Sequence, residues 1–151
     1  MNCGVTKTPV GFVSVVEQDG AITQLNWGGE NSGTRSPLIK NALLQLEQFF
    51  NNERNDFDLP LNPEGSLFQQ LVFRQMLKIP KGGSVTYGDI ATALDAPAQA
   101  IGQACGANPI PIIIPCHRVL GANSLGGYSG NGGVETKVKL LRFEGAAGLL
   151  I

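Results

Sequence analysis

The sequence predicts an α/β protein in two parts. A small N-terminal antiparallel sheet with one helix spans residues 1–62, and a mostly helical C-terminal domain with a helix-turn-helix spans residues 63–151. Three observations lead there. Two β-rich runs near the start flank an Asp-Gly turn. A polar, proline-bounded stretch at 51–63 divides the chain. Beyond it, capping boxes and a proline-led start mark a series of short helices.

Taken in order, residues 10–16 and 21–27 read as strands joined at Gln18-Asp19-Gly20, and 28–33 as a glycine-rich loop. Residues 37–50 have helical periodicity, with Ile39, Leu43, Leu46 and Phe50 on one face. Ser66 and Gln69 open a helix that should stop before Pro80. Thr86 and Asp89 open a shorter one through Leu94, and Pro97, at an expected first helical position, starts another through about Cys105. The tight Asp95-Ala96 joint between the last two makes a helix-turn-helix. A final helix is expected over 134–143, with Val134, Val138 and Leu141 as its apolar stripe and Gly145 as its C-terminal cap.

Between the helix pair and the final helix lies the densest patterning. Ile110, Ile112, Ile113 and Ile114, punctuated by Pro109, Pro111 and Pro115, read as buried extended chain. The run ends at Cys116 and His117, the latter being the only histidine. The bland interpretation of such a pair is a core cysteine beside a surface histidine. The glycine-dense loop at 126–133 has neither the GxxxxGK[ST] nor the GxGxxG pattern of phosphate-binding loops. It is either a linker or a pocket wall where backbone comes close to a ligand.

Composition narrows the function classes. No apolar run approaches the about 20 residues that cross a bilayer, and the N-terminus lacks a signal-peptide pattern, so a cytoplasmic protein without membrane contact is expected. Cys3, Cys105 and Cys116 are odd in number and lack CxxC spacing, which argues against a disulfide framework and a structural zinc site, so no metal is expected. Net charge is −1, but residues 1–62 hold 4 basic and 7 acidic residues (−3), and 63–151 hold 7 basic and 5 acidic (+2). A polyanion-facing surface therefore belongs to the second part, with few phosphate contacts.

Pro115-Cys116-His117-Arg118-Val119 resembles the active-site signature of the O6-alkylguanine-DNA alkyltransferases, the methylated-DNA–protein-cysteine methyltransferases. Ile79-Pro80-Lys81-Gly82, Thr86-Tyr87, Ile101-Gly102, Asn108-Pro109, Gly126-Gly127-Tyr128-Ser129-Gly130 and Leu140-Leu141-Arg142-Phe143-Glu144-Gly145 follow the family's order. The resemblance implies a monomer that binds duplex DNA through the minor groove, flips out an O6-alkylguanine and takes its alkyl group onto Cys116 once, irreversibly and without cofactor. O4-alkylthymine is a further candidate substrate. It implies His117 as base, linked to the thiol through a water and oriented by Glu144. Glu135 is the rival orienter, already explained by its place at a helix start. It also implies Tyr87 as proton donor to the leaving guanine, Asn108 as brace of the active-site turn, and Tyr128, Ser129 and Gly130 at the flipped base. Thr86, Ala98, Gln99, Ala100, Gly102 and Arg118 are implied at the DNA.

One departure stands out: Gln99 occupies the position where family members usually place the arginine that fills the hole left by the flipped base. Two other classes compete. A non-catalytic damage sensor of the alkyltransferase-like kind would bind alkylated DNA without repairing it, though such proteins replace the cysteine. A cysteine hydrolase or redox sensor would turn over repeatedly, where an alkyltransferase stops after one equivalent.

Overall fold

The computed structural model describes residues 1–146. The chain divides into two compact units, Met1–Glu64 and Gly65–Ile151.

The first unit is a three-stranded antiparallel sheet in the order β1 (Asn2–Thr8), β2 (Gly11–Gln18), β3 (Ala21–Trp27). β1 goes beyond what the sequence patterning shows. Its Cys-Gly-Val-Thr-Lys run lacks alternation, and only its pairing with β2, Asn2↔Glu17 through Thr8↔Gly11, makes it a strand. The β2–β3 hairpin closes through Asp19 and Gly20, both at positive φ (53° and 80°), the backbone twist a two-residue hairpin needs. Helix α1 (Pro37–Phe50) starts at Ser36, whose hydroxyl accepts from Ile39 N. It buries Ile39, Leu43 and Leu46 as expected, but Phe49 is fully buried and Phe50 only partly, because the apolar face ends at i+3 from Leu46 rather than i+4. The 51–63 stretch is no bare linker. Buried Gln45 exchanges two hydrogen bonds with the Asp58 backbone, and Ile22 bonds Pro60 O and Asn62 N, at 2.8 Å each.

The second unit is helical. α2 (Leu67–Leu77) and α3 (Tyr87–Leu94) each carry a complete capping box, Ser66/Gln69 and Thr86/Asp89. Asp95 in left-handed conformation ends α3, and α4 (Ala98–Gly106) follows, which makes the helix-turn-helix. Pro97 is the N-cap of α4 rather than its first helical residue, because its ψ of 143° is extended. Two short strands, β4 (Val85–Thr86) and β5 (Val119–Leu120), pair in parallel and were not visible in the sequence.

The isoleucine run is buried as expected, but it is not extended. Residues 110–114 form a turn closed by Ile114 N to Ile110 O at 2.9 Å, with Ile112 at φ +73°. Pro109 and Pro111 withhold the donors a strand ladder requires, so burial on every side is met by a coiled-up segment instead. A β-branched residue at positive φ is strained, and here fully packed surroundings hold it. A 3-10 turn over Cys116–Arg118 follows, then β5.

Helix α5 (Val134–Glu144) ends at Gly145 in left-handed conformation. Of the expected stripe only Leu141 is buried: Val134 is 43% exposed and Val138 half-buried, and the buried face is Thr136, Lys137, Leu140, Leu141 and Glu144. The helix turns two charged residues, one helical heptad apart, into the interior.

Candidate active site

Cys116 lies at the base of a pocket of about 460 Å³, together with Tyr87, Gly102, Cys105, Gly106, Gly127, Tyr128 and Ser129. Each wall has a local cause. The α3 capping box sets Tyr87 at the first helical position. Gly102 and Gly106 put bare backbone of α4 at the rim, and a Cβ at either would meet nothing within 4 Å. The opposite wall is the glycine loop. Gly126, at φ +72°, lies so close that a Cβ there would stand 2.8 Å from the Tyr87 ring. The Ser129 hydroxyl ties this loop to α4 through Gly106 O at 3.2 Å. Gly130 is not part of the pocket lining; its carbonyl closes the following turn by accepting from Gly133 N.

The turn that presents the thiol is held by Asn108. Its Nδ2 donates to Ile114 O at 2.8 Å, and its Oδ1 accepts from Ile110 N at 3.0 Å, so one side chain closes both ends of the strained loop. The 3-10 geometry sets consecutive side chains about 120° apart. Cys116 thereby faces the pocket while His117 and Arg118 both reach Glu144.

His117 Nε2 lies 2.8 Å from Glu144 Oε2, and both side chains are fully buried. Arg118 grips the same carboxylate with two bonds, Nε to Oε1 at 2.9 Å and Nη2 to Oε2 at 2.7 Å, and its Nη1 donates to Ile79 O at 2.6 Å. Glu144, not Glu135 in the first turn of α5, therefore orients the histidine. Arg118, expected at the DNA, is 6% exposed and committed to this pair, so it is not a phosphate contact.

Burial by itself raises the Glu144 carboxyl, but hydrogen bonds and charge from His117 and Arg118 outweigh it and bring the pKa to about 2. Burial holds His117 below its usual value, against the pull of Glu144. At neutral pH the imidazole is thus uncharged beside a carboxylate that can only accept, which fixes the proton on Nε2. Nδ1 keeps a lone pair and is buried without a hydrogen-bond partner among the described residues. The Cys116 thiol is pushed up by burial and drawn partly back by Asn108 and by Lys137. A thiol in such a place reacts only with help from a base.

Cys105, for which the sequence favours a core position over a second acceptor, is buried and also lines the pocket; its sulfur packs 3.6 Å from Met76 Sδ, and burial pushes its thiol up to about 12. One further residue beside the site carries no mark in the sequence motifs. Lys137 is fully buried behind the Gly127–Tyr87 wall. The available signal was the spacing of Lys137 and Glu144 around Leu140-Leu141, which places two charges on one helix face with two leucines.

The remaining expected DNA residues lie on the helix-turn-helix. Ala98 and Gln99 are exposed in the first turn of α4, and Ala100 and Gly102 are half-buried. The Thr86 oxygen is taken by the α3 cap, accepting from Asp89 N at 3.0 Å. Among the described residues no group of three or more histidine, cysteine or acidic side chains could hold a metal. No described helix is long and apolar enough to cross a membrane.

Fold and site together define a thiol-nucleophile protein built around a helix-turn-helix. Residues 1–63 match the ribonuclease-like domain of 6-O-methylguanine DNA methyltransferase, and residues 67–146 match its DNA-binding domain. A probable methylated-DNA–protein-cysteine methyltransferase of Acanthamoeba polyphaga mimivirus is 40% identical over 147 residues, covering 95% of this chain and 97% of that one. The constitutive enzyme of that name from Bacillus subtilis is 39% identical over 152 residues, covering 91% and 92%. The crystal structure of Mycobacterium tuberculosis OGT in complex with DNA superposes with a TM-score of 0.83 at 38% identity, covering 95% of this chain and 92% of that one. The chain belongs to the O6-methylguanine DNA methyltransferase family.

Proposed function

We propose that this protein repairs duplex DNA by moving the alkyl group of O6-alkylguanine onto Cys116, once per molecule, as a cytoplasmic monomer. The observation that carries the proposal is the thiol at the base of a pocket, beside a histidine whose tautomer a buried carboxylate fixes. The helix-turn-helix lies at the pocket rim through Gly102 and Gly106, where the absence of side chains suits close approach to a minor groove. A base reaches such a pocket only by leaving the stack.

His117 Nδ1, through a water, takes the Cys116 proton. The thiolate then attacks the alkyl carbon in line, the S–C bond forms, and the C–O6 bond breaks with its electron pair going to guanine. Tyr87, whose hydroxyl burial keeps protonated, is placed to hydrogen-bond or protonate the leaving base. Tyr128 stacks on the flipped base and Ser129 meets its edge. The thioether has no leaving group that any neighbouring side chain can activate, so the protein acts once. Nucleophile, base and orienter all come from this chain.

Intact and peptide mass spectrometry after mixing with a duplex containing one O6-methylguanine tests this. One methyl on the Cys116 peptide, saturating at one equivalent, is expected. Tight binding without mass gain would instead establish the damage sensor, and repeated product release would establish a hydrolase.

Gln99 bears on rate. A glutamine can hydrogen-bond an orphaned cytosine but lacks the charge and reach of arginine. Gln99→Arg is expected to speed single-turnover repair severalfold; an unchanged rate would remove Gln99 from base extrusion.

A further inference from the structure

The glycine loop of the pocket wall carries chemistry that alkyl transfer does not use. Asn131-Gly132 is the only Asn-Gly pair in the chain. Asn131 is exposed, two residues beyond Ser129 of the pocket lining. Among the described residues, neither its side-chain amide nor the Gly132 N–H has a hydrogen-bond partner. Gly132 stands at φ +85°, and no Cβ shields its peptide nitrogen. The free amide and the bare nitrogen next to it are the two groups that ring closure would join.

Thr136 singles this pair out further. It is buried at the start of α5, and its hydroxyl donates to Asn131 O. That carbonyl and the Gly132 N–H belong to one peptide unit. A donor on the oxygen draws electron density from the nitrogen and makes the N–H more acidic. A Cβ at Gly132 would run into the same hydroxyl, so the position admits glycine alone. Asn123-Ser124, in the same stretch and also exposed, has neither the bare following residue nor a threonine on its carbonyl.

We propose that Asn131 is a self-modification site, deamidated through a succinimide whose formation the Thr136 hydroxyl promotes. The Gly132 nitrogen gives its proton to water and attacks Asn131 Cγ. The new C–N bond forms, the Cγ–Nδ2 bond breaks, and the amide nitrogen takes a proton from water and leaves as ammonia. Water then opens the ring at Cγ, giving an aspartyl residue, or at the backbone carbonyl, giving an isoaspartyl residue with one more carbon in the main chain. Either product places a carboxylate in a stretch, 121–133, that holds no charged residue. The isoaspartyl form also breaks the register of the turn closed by Gly133 N and Gly130 O at 3.0 Å, which joins the Ser129 wall to α5. On the alkyl-transfer reading, a polyanion approaching the pocket then meets a negative charge and a displaced wall, so unspent molecules lose competence with age.

The test is a time course at neutral pH. Trypsin releases residues 119–137 as one peptide that holds both Asn123 and Asn131, and tandem mass spectrometry locates ammonia loss and the acid form within it. Asn131 is expected to convert severalfold faster than Asn123, Thr136→Val to slow it severalfold, and Thr136→Ser to restore it, with folding checked by circular dichroism. Equal rates at Asn123 and Asn131 would overturn the site. An unchanged Asn131 rate in Thr136→Val protein would overturn the part given to the hydroxyl. Should valine prevent folding, urea-unfolded wild-type protein decides, since Asn131 must convert more slowly once Thr136 no longer reaches it. Aged wild-type protein is expected to lose alkyl transfer in step with the modified fraction. Asn131→Gln protein, whose ring closure would need six members, keeps its transfer on ageing. Undiminished transfer by fully converted protein would overturn the functional consequence. The time course needs no DNA, so fresh protein that deamidates as expected but takes no methyl from O6-methylguanine would sink the functional reading and leave the modification standing.

Discussion

Cys116→Ala protein takes up no alkyl mass from an O6-methylguanine duplex and still binds it. The loss is complete rather than partial because no second acceptor in the pocket can replace the thiolate. Cys105 lines the same cavity, but its thiol, at about 12, is neutral at any physiological pH and has no base beside it. The substitution removes one sulfur at a surface already open to the cavity. It leaves Asn108, His117, Arg118 and Glu144 with their bonds, so folding and the exposed surface of α4 persist. Electrophoretic mobility with the modified duplex, alongside peptide mass spectrometry, reads both halves of the expectation. Alkyl mass on the Cys105 peptide would show that the pocket activates a second thiol.

Arg118→Met costs on the order of 3–5 kcal/mol, a large share of the 5–15 kcal/mol that holds a typical domain together. The guanidinium makes three bonds at 2.6–2.9 Å, two to Glu144 and one to Ile79 O. Removing it strands a buried carboxylate and a buried carbonyl. The same contacts make the protein acid-sensitive. Glu144 falls from 4.5 to about 2 on folding, so its contribution, on the order of 3 kcal/mol, is present above 4.5 and is lost as pH drops from there toward 2. His117, held below 6.5 in the folded state, acts in the same direction, since unfolding binds its proton more readily. In Arg118→Met protein the carboxylate keeps its bond to His117 but loses both bonds to Arg118, so the acid unfolding midpoint moves to higher pH. Urea unfolding at several pH values measures both effects. Because Arg118 makes no phosphate contact, the salt dependence of DNA binding in the folded variant stays at the wild-type slope. A variant with wild-type stability and a shallower slope would put Arg118 at the DNA after all.

The hairpin, α1, α2 and α3 could be read from residues because their signals are local: Asp19-Gly20, Ser36 before Pro37, Ser66 with Gln69, Thr86 with Asp89. Cys116 and His117 announced themselves as a pair, and Glu144 followed from a motif that resembles the family's. Two elements carry weak or misleading local patterns. β1 lacks alternation, and Val134 and Val138 suggested a stripe that the packed helix does not use.

By itself, then, the sequence determined where most elements begin and end, which cysteine is the candidate nucleophile, and the family to which the chain belongs, because capping, turn chemistry and signature motifs act over a few residues. Only the tertiary structure decided that the isoleucine run coils into a turn, that Arg118 points inward and that Lys137 is buried behind the pocket. Each of those depends on partners far away in the chain: Arg118 meets Glu144 across 26 positions and Ile79 across 39, and Lys137 meets Val119 across 18. A charged side chain reads as surface until the fold supplies the groups that satisfy it, and no spacing rule names those groups in advance.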